Sequence, residues 1–310
     1  MSLFDAFRER RPFPGQDPWV VAHDGSLLLV QSAGANRRIV IKRFADLERM
    51  ERNVETVIWA PGGPSRQIWA PELHQIDGRW YCYFTASDGR AANHRTYALV
   101  ADQPLGPYRA LGPVRDPAHD VWAIDLTVFS HAGGLFAAWS GWEGPADGFP
   151  QNLYIAPMSD PWTICGERQC LSRPEHGWEM SAAPINEGPE IVRRPGSDRL
   201  FLIYAADASW TQAYKMGLLE WTGGEVGDPA SWRKQPRPWF TGGGHGCVVD
   251  TPAGTHLVYH RKLSGDPGWA DREIRSAPLD WDAAGYPVVR MGQPSGGTAI
   301  AGGMPGTAVA

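Results

Sequence analysis

The chain has 310 residues, 43% of them apolar and 20% charged, with a net charge of −5 and a pI near 6.0. That length buries a full core, and the mild acidic balance without a clustered Lys/Arg run excludes the electrostatic footprint of a nucleic-acid or anionic-membrane binder. Fifteen Trp, 36 Gly and 27 Pro point to short strands, tight turns and aromatic-lined surfaces, hence an all-β fold.

Taken in order, Met1 to Gly15 carries Asp5, Arg8, Glu9, Arg10 and Arg11 and lacks the apolar core of a secretory signal. The expectation is a cytoplasmic protein, secreted only if an export signal has been removed. No stretch approaches a membrane span. Five similar units follow, Asp17–Val30, Trp69–Thr85, Asp125–Trp139, Glu187–Tyr204 and His245–Tyr259. Each opens on a small, polar or aromatic residue, runs as an apolar strand, turns on a polar, usually Gly-containing pair and returns as a second apolar strand. Asp24-Gly25, Asp77-Gly78 and Gly133-Gly134 are hairpin signals that tolerate the positive φ such turns require. A third strand is expected at 38–42, 94–100, 152–156, 215–220 and 273–277, often trailed by Pro/Gly/Trp corners such as Pro104 to Tyr108.

Counting Ala70 as the start of the second unit, the units begin at 17, 70, 125, 187 and 245, spaced by 53 to 62 residues, the length of a four-stranded propeller blade. The expected fold is therefore a five-bladed β-propeller, one domain over residues 1–290, followed by a Gly/Ala-rich tail over 291–310. Cys82, Cys165, Cys170 and Cys247 form no metal-type pair, and Cys82 and Cys247 lie in apolar runs where a buried free thiol is ordinary.

In a propeller the innermost strands line a central channel, so equivalent positions converge. Those positions are read as Asp17, Ala70, Asp125, Glu187 and His245. Each has a plain alternative. Asp17-Pro18 is a common turn starter, Glu187 could belong to a turn and Glu190 to a strand face, and His245 among glycines could be a core histidine. Asp125 is harder to dismiss, because it interrupts the apolar run Trp122 to Phe129 and an unpaired buried carboxylate costs several kcal/mol. Three acids meeting at an axis suit glycosidic bond cleavage, which needs one ionised carboxylate and one carboxyl kept protonated. Trp-rich walls suit the CH faces of a sugar.

The segments Asp17-Pro-Trp-Val20, Trp69 to Tyr81, Trp122 to Thr127, Asn186-Glu-Gly-Pro189, Gly244-His-Gly246 and Val258-Tyr-His260 resemble glycoside hydrolase family 43, the five-bladed family of α-L-arabinofuranosidases, arabinanases and β-xylosidases. The blocks Asn186 to Glu190 and His94 to Tyr97 look most like its exo-acting arabinofuranosidase branch. The resemblance implies Asp17 as general base, Asp125 as the group that tunes and orients, and Glu187 as general acid of an inverting hydrolysis. It implies sugar contacts from Arg272, and a calcium or sodium ion held through water by His245, with no cofactor required for the chemistry. Trp69, Ala70, Trp139 and His245 are further candidates for substrate contact. Leu126 and Gly246-Cys247 depart from the family pattern, the latter where the ion would sit. The implied partner is a pentose-containing oligosaccharide. A β-xylosidase, an endo-arabinanase and a non-catalytic sugar-binding propeller are the alternatives.

Overall fold

The computed structural model describes residues 13–61, 66–145, 148 and 150–291. The expectations for residues 1–12 and for the tail beyond Met291 lie outside the described residues. Five antiparallel sheets follow one another along the chain. Blade I is built from Trp19–His23, Ser26–Ala33, Arg38–Phe44 and Val54–Trp59, and blade II from Arg66–Ile76, Arg79–Ser87, Arg95–Ala101 and Arg109–Pro113. Blade III runs Ala123–His131, Gly134–Gly141 and Asn152–Asp160, with Thr163–Ile164 and Gln169–Ser172 sharing its outer edge. Blade IV is Asn186–Arg193, Leu200–Ala206, Lys215–Trp221 and Trp232–Lys234. Blade V is Gly244–Thr251, Gly254–Lys262 and Arg272–Trp281, and its third strand pairs with both Pro287–Val289 and Phe13–Pro14.

The first strands of successive blades touch all the way round, including blade V against blade I, so the ring of five is closed. The N-terminal piece Phe13–Pro14, with Phe13 opposite Ile274, ties the start of the chain into the last blade. Closure leaves each sheet buried on both faces, and this explains why the strands read as continuous apolar runs rather than alternating ones. In Ser26–Ala33, Leu28 and Val30 pack toward blade II while Leu27 and Leu29 pack toward blade V. Apolar clusters fill all five junctions between blades. Each fully buried Leu or Ile in them contributes about 1.5–3 kcal/mol relative to exposure. All four cysteines are free, with Cys82 and Cys247 buried in these clusters. No described helix is long and apolar enough to cross a membrane.

One irregularity positions the site. Near its start, the first strand of blades II to V carries a register shift. At the same place the backbone turns left-handed, at Ala70 (φ 41°), Asp125 (φ 54°), Gly188 (φ 53°) and His245 (φ 40°), and Asp17 (φ 46°) does so just ahead of blade I. Such conformations cost on the order of 1–3 kcal/mol for a residue with a side chain and cluster at functional positions.

This corrects the phase read from the sequence. In blade IV the residue equivalent to Asp17, Ala70, Asp125 and His245 is Gly188, and Glu187 stands one position earlier, in the phase of Trp69, Ile124 and Gly244. The cause is steric as well as conformational. A Cβ on Gly188 would lie 2.8 Å from the His245 ring, so blade IV presents no side chain at that phase.

Candidate active site

Asp17, Asp125, Glu187 and His245 come together at the axis. His245 Nδ1 lies 3.4 Å from Asp17 Oδ1 and 3.8 Å from Asp125 Oδ2. The Asp125 carboxylate also accepts the Gly188 N–H at 3.1 Å, so the one blade without an axial side chain supplies a backbone donor instead. The backbone N–H of Asp125 donates to Thr85 Oγ1 at 3.3 Å. The backbone N–H of Asp17 donates to His260 Nδ1 at 3.0 Å, which fixes the neutral His260 with its proton on Nε2.

Glu187 is held differently. Its Oε1 accepts the Tyr214 hydroxyl at 2.8 Å. Tyr214 is buried and its ring stacks 5.3 Å from that of His260. Gly244 makes the room, since a Cβ there would meet the Tyr214 ring at 2.4 Å. Arg272 reaches the same region through Gln16, donating from Nη2 to Gln16 Oε1 at 2.6 Å.

The three carboxyls are driven apart in acidity. Burial pushes Asp17 up, but His245, His260 and Arg272 together outweigh it and hold its pKa below the usual carboxylate value. Both imidazoles are themselves pushed down by burial, His260 to about 3, so the standing positive charge beside Asp17 at neutral pH is that of Arg272. Burial pushes Glu187 up to about 7, with the charge of Asp17 adding to the rise and the Tyr214 hydroxyl and Arg272 opposing it. Asp125 is also raised well above the ordinary carboxylate range, by burial first and then by Glu187 and Asp17, against the Gly188 hydrogen bond. At neutral pH the Asp125–Glu187 pair therefore retains at least one proton while Asp17 is ionised. One group can accept a proton and a neighbour can donate one.

The remaining candidates separate. Trp69 is half-buried and stacks on His94, ring centroids 3.8 Å apart. Ala70 is buried at the axial phase and leaves space there. Trp139 is corrected: at 2% exposure it packs among Tyr81, Tyr83, Leu126 and Tyr154 in the junction of blades II and III, so its ring is taken up by the core and does not present a face to a sugar. Trp142 instead pairs face to face with Trp122 at 4.6 Å. Glu190 is not a surface strand charge either. It is buried and its two oxygens accept the Val248 N–H at 3.1 and 2.8 Å, stitching the first strand of blade IV to that of blade V.

The family model of glycosyl hydrolases family 43 matches residues 12–287. The chain belongs to glycosyl hydrolase family 43. An extracellular exo-α-(1→5)-L-arabinofuranosidase of Streptomyces chartreusis is 35% identical over 81% of this chain and 82% of its own length. α-L-Arabinofuranosidase 43 of Humicola insolens is 33% identical over 92% of this chain, which spans 63% of that relative. Among solved structures, an α-L-arabinofuranosidase from Lactobacillus brevis superposes with a TM-score of 0.80 at 30% identity, covering 88% of this chain and 93% of the other.

Asp125 and Glu187 lie on inner strands and Asp17 just ahead of one, and Tyr214 supports Glu187 from an outer loop. Tyr214 carried no sequence signal, because it lies after Asp207-Ala-Ser-Trp-Thr-Gln-Ala in a loop whose path is set only by the folded blade. His260 appeared in a matching segment without a role, and its place against Asp17 depends on contact between blades V and I. Among the described residues no group of three or more His, Cys, Asp or Glu side chains is arranged to hold a metal ion. His245 Nδ1 is directed at two carboxylates, those of Asp17 and Asp125.

Proposed function

We propose that the chain is an inverting exo-α-L-arabinofuranosidase that removes terminal arabinofuranosyl residues from arabinan, arabinoxylan or their oligosaccharides. The observation that carries the chemistry is the split in acidity within one axial cluster, Asp17 held down and Glu187 raised to about 7. The arabinose preference is supported by the relatives, whose names state that activity. In this reading Asp17 takes a proton from a water molecule, which attacks the anomeric carbon. The bond to the leaving oxygen breaks as Glu187 gives that oxygen its proton. Inversion requires attack and departure on opposite faces of the sugar, and a base and an acid far enough apart to admit the water. Asp125, bridged to Gly188 and facing His245, orients the cluster and shares the proton with Glu187. Arg272 adds to the pull of His245 and His260 that lowers the Asp17 pKa, and it is the side chain expected to contact the sugar.

The substrate is a pentose-containing carbohydrate, and the relatives of extracellular description support action on polymers or fragments outside the cell. The functional unit is the propeller. A panel of nitrophenyl pentosides followed by linear and branched arabino-oligosaccharides tests the reading. The expected result is release of single arabinose units from non-reducing ends. Preference for a β-xyloside, or cleavage at internal linkages, would contradict it.

A further inference from the structure

Two loops rise beside Glu187 on the wall made by blades IV and V. Residues 207–214 join the second and third strands of blade IV and end at Tyr214, which donates to Glu187. Residues 263–271 join the corresponding strands of blade V and lead into Arg272, which donates to Gln16. Each loop carries one tryptophan at its outer side. Trp269 is 61% exposed, and its ring lies 5.1 Å from that of Trp210 at an angle of 56°.

An exposed indole on a loose loop would say little, but this loop is pinned. Leu263 N–H donates to Asp271 O at 2.8 Å, Lys262 Nζ donates to Ala270 O at 3.0 Å, and Gly268 N–H donates across to Trp210 O at 2.8 Å. Gln212 Nε2 donates to Leu263 O at 2.9 Å, locking one loop to the other. The partner loop is anchored in turn by buried Asp207, whose carboxylate accepts the N–H groups of Ala182, Ala183 and Ala208. Arg272 ties the platform to the acids, since its Nε donates to Trp269 O at 3.2 Å and its guanidinium lies 5.6 Å from the centre of the Trp269 ring. A rigid, preorganised indole left facing water, one guanidinium away from the acid cluster, is arranged for a ligand that arrives there.

We propose that Trp269, backed by Trp210, is the stacking platform for the sugar on the leaving-group side of the scissile bond. This rests on the glycosidase reading above. The wall is assigned to that side because the loop of Trp210, against which Trp269 rests, ends at Tyr214, the partner of the proton donor. The occupant is a neutral pyranose or furanose ring, whose CH face matches an indole and whose hydroxyls can meet Arg272 and Gln212.

The test uses the full chain and two substrates, an arabino-oligosaccharide and α-L-arabinofuranosyl fluoride, whose leaving group is a single atom too small to reach the platform. For Trp269→Ala the ratio of kcat/KM on the oligosaccharide to that on the fluoride falls about three- to tenfold, the size of an aromatic stacking contact, and the loss appears in KM. Trp269→Phe restores most of the ratio. A ratio that stays at the wild-type value, with or without a change in oligomeric state, overturns the platform. Failure of the wild-type chain to hydrolyse either substrate overturns the glycosidase reading itself, a separate result.

Discussion

Two buried glutamates, Glu179 and Glu187, are separated by a single asparagine bridge and behave in opposite ways. Glu179 is fully buried, yet its oxygens accept from Asn186 Nδ2 and Tyr204 OH, each at 2.9 Å, from the backbone N–H groups of Glu175 and His176, and from Lys234 Nζ at 2.8 Å. Burial pushes it up, but Lys234 and the two backbone donors win, and its pKa lies below the ordinary value. Glu187, the next residue after Asn186, is buried too, but its described hydrogen bond is the single one from Tyr214, and it rises to about 7. Burial alone does not make a catalytic acid. The number and charge of the donors decide which carboxylate is a strut and which can hold a proton.

Removing the donor that defines the strut has the largest expected effect on the fold. Lys234→Met leaves Glu179 as a buried charge without its cation, and the expected loss is about 3 kcal/mol or more of unfolding free energy, read by denaturant titration. A loss under about 1 kcal/mol would mean that the neutral donors suffice.

On the catalytic side, Tyr214→Phe removes a hydrogen bond that favours ionised Glu187. The Glu187 pKa then rises, so the alkaline limb of kcat/KM, which falls in wild type as pH passes through about 7, moves to higher pH. A limb displaced downward would assign Tyr214 a different role.

The smallest effect is thermodynamic and runs against intuition. Because the folded pKa of Glu187 lies above its ordinary 4.5, the folded state keeps a proton that the unfolded chain releases, so its contribution to stability is full below 4.5 and fades as pH rises through 7. Glu187→Gln has no such loss. Its melting temperature is expected to exceed that of wild type at pH 8 and to match it near pH 4.5, whereas Glu179, with its lowered pKa, contributes stability that is lost as pH falls.

The legibility of the molecule in its sequence follows the same division. Hairpin dipeptides and apolar runs are local signals, so the five blades and their third strands lie where the pattern places them. The exceptions are long-range. Phe13–Pro14 pairs with residues some 260 positions away and has no local mark. The one-residue displacement of Glu187 arises because the His245 ring from blade V occupies the axial place in blade IV, a clash that no single repeat contains. Trp139 looked like a sugar-facing aromatic, but alternation in a sheet buried on both faces gives no outward side to read. Tyr214 and Trp269 sit on loops whose course is set by the strands they connect.

The separation of acid from base is tested most directly by comparing Glu187→Gln and Asp17→Asn on an arabino-oligosaccharide and on a dinitrophenyl arabinofuranoside, whose leaving group departs without a proton. Both variants are expected to lose about 10²- to 10⁴-fold on the oligosaccharide. On the aryl glycoside the Glu187→Gln loss should shrink to within about tenfold of wild type, while the Asp17→Asn loss persists, because water still has to be activated. Equal losses for Glu187→Gln on both substrates would contradict its assignment as the proton donor.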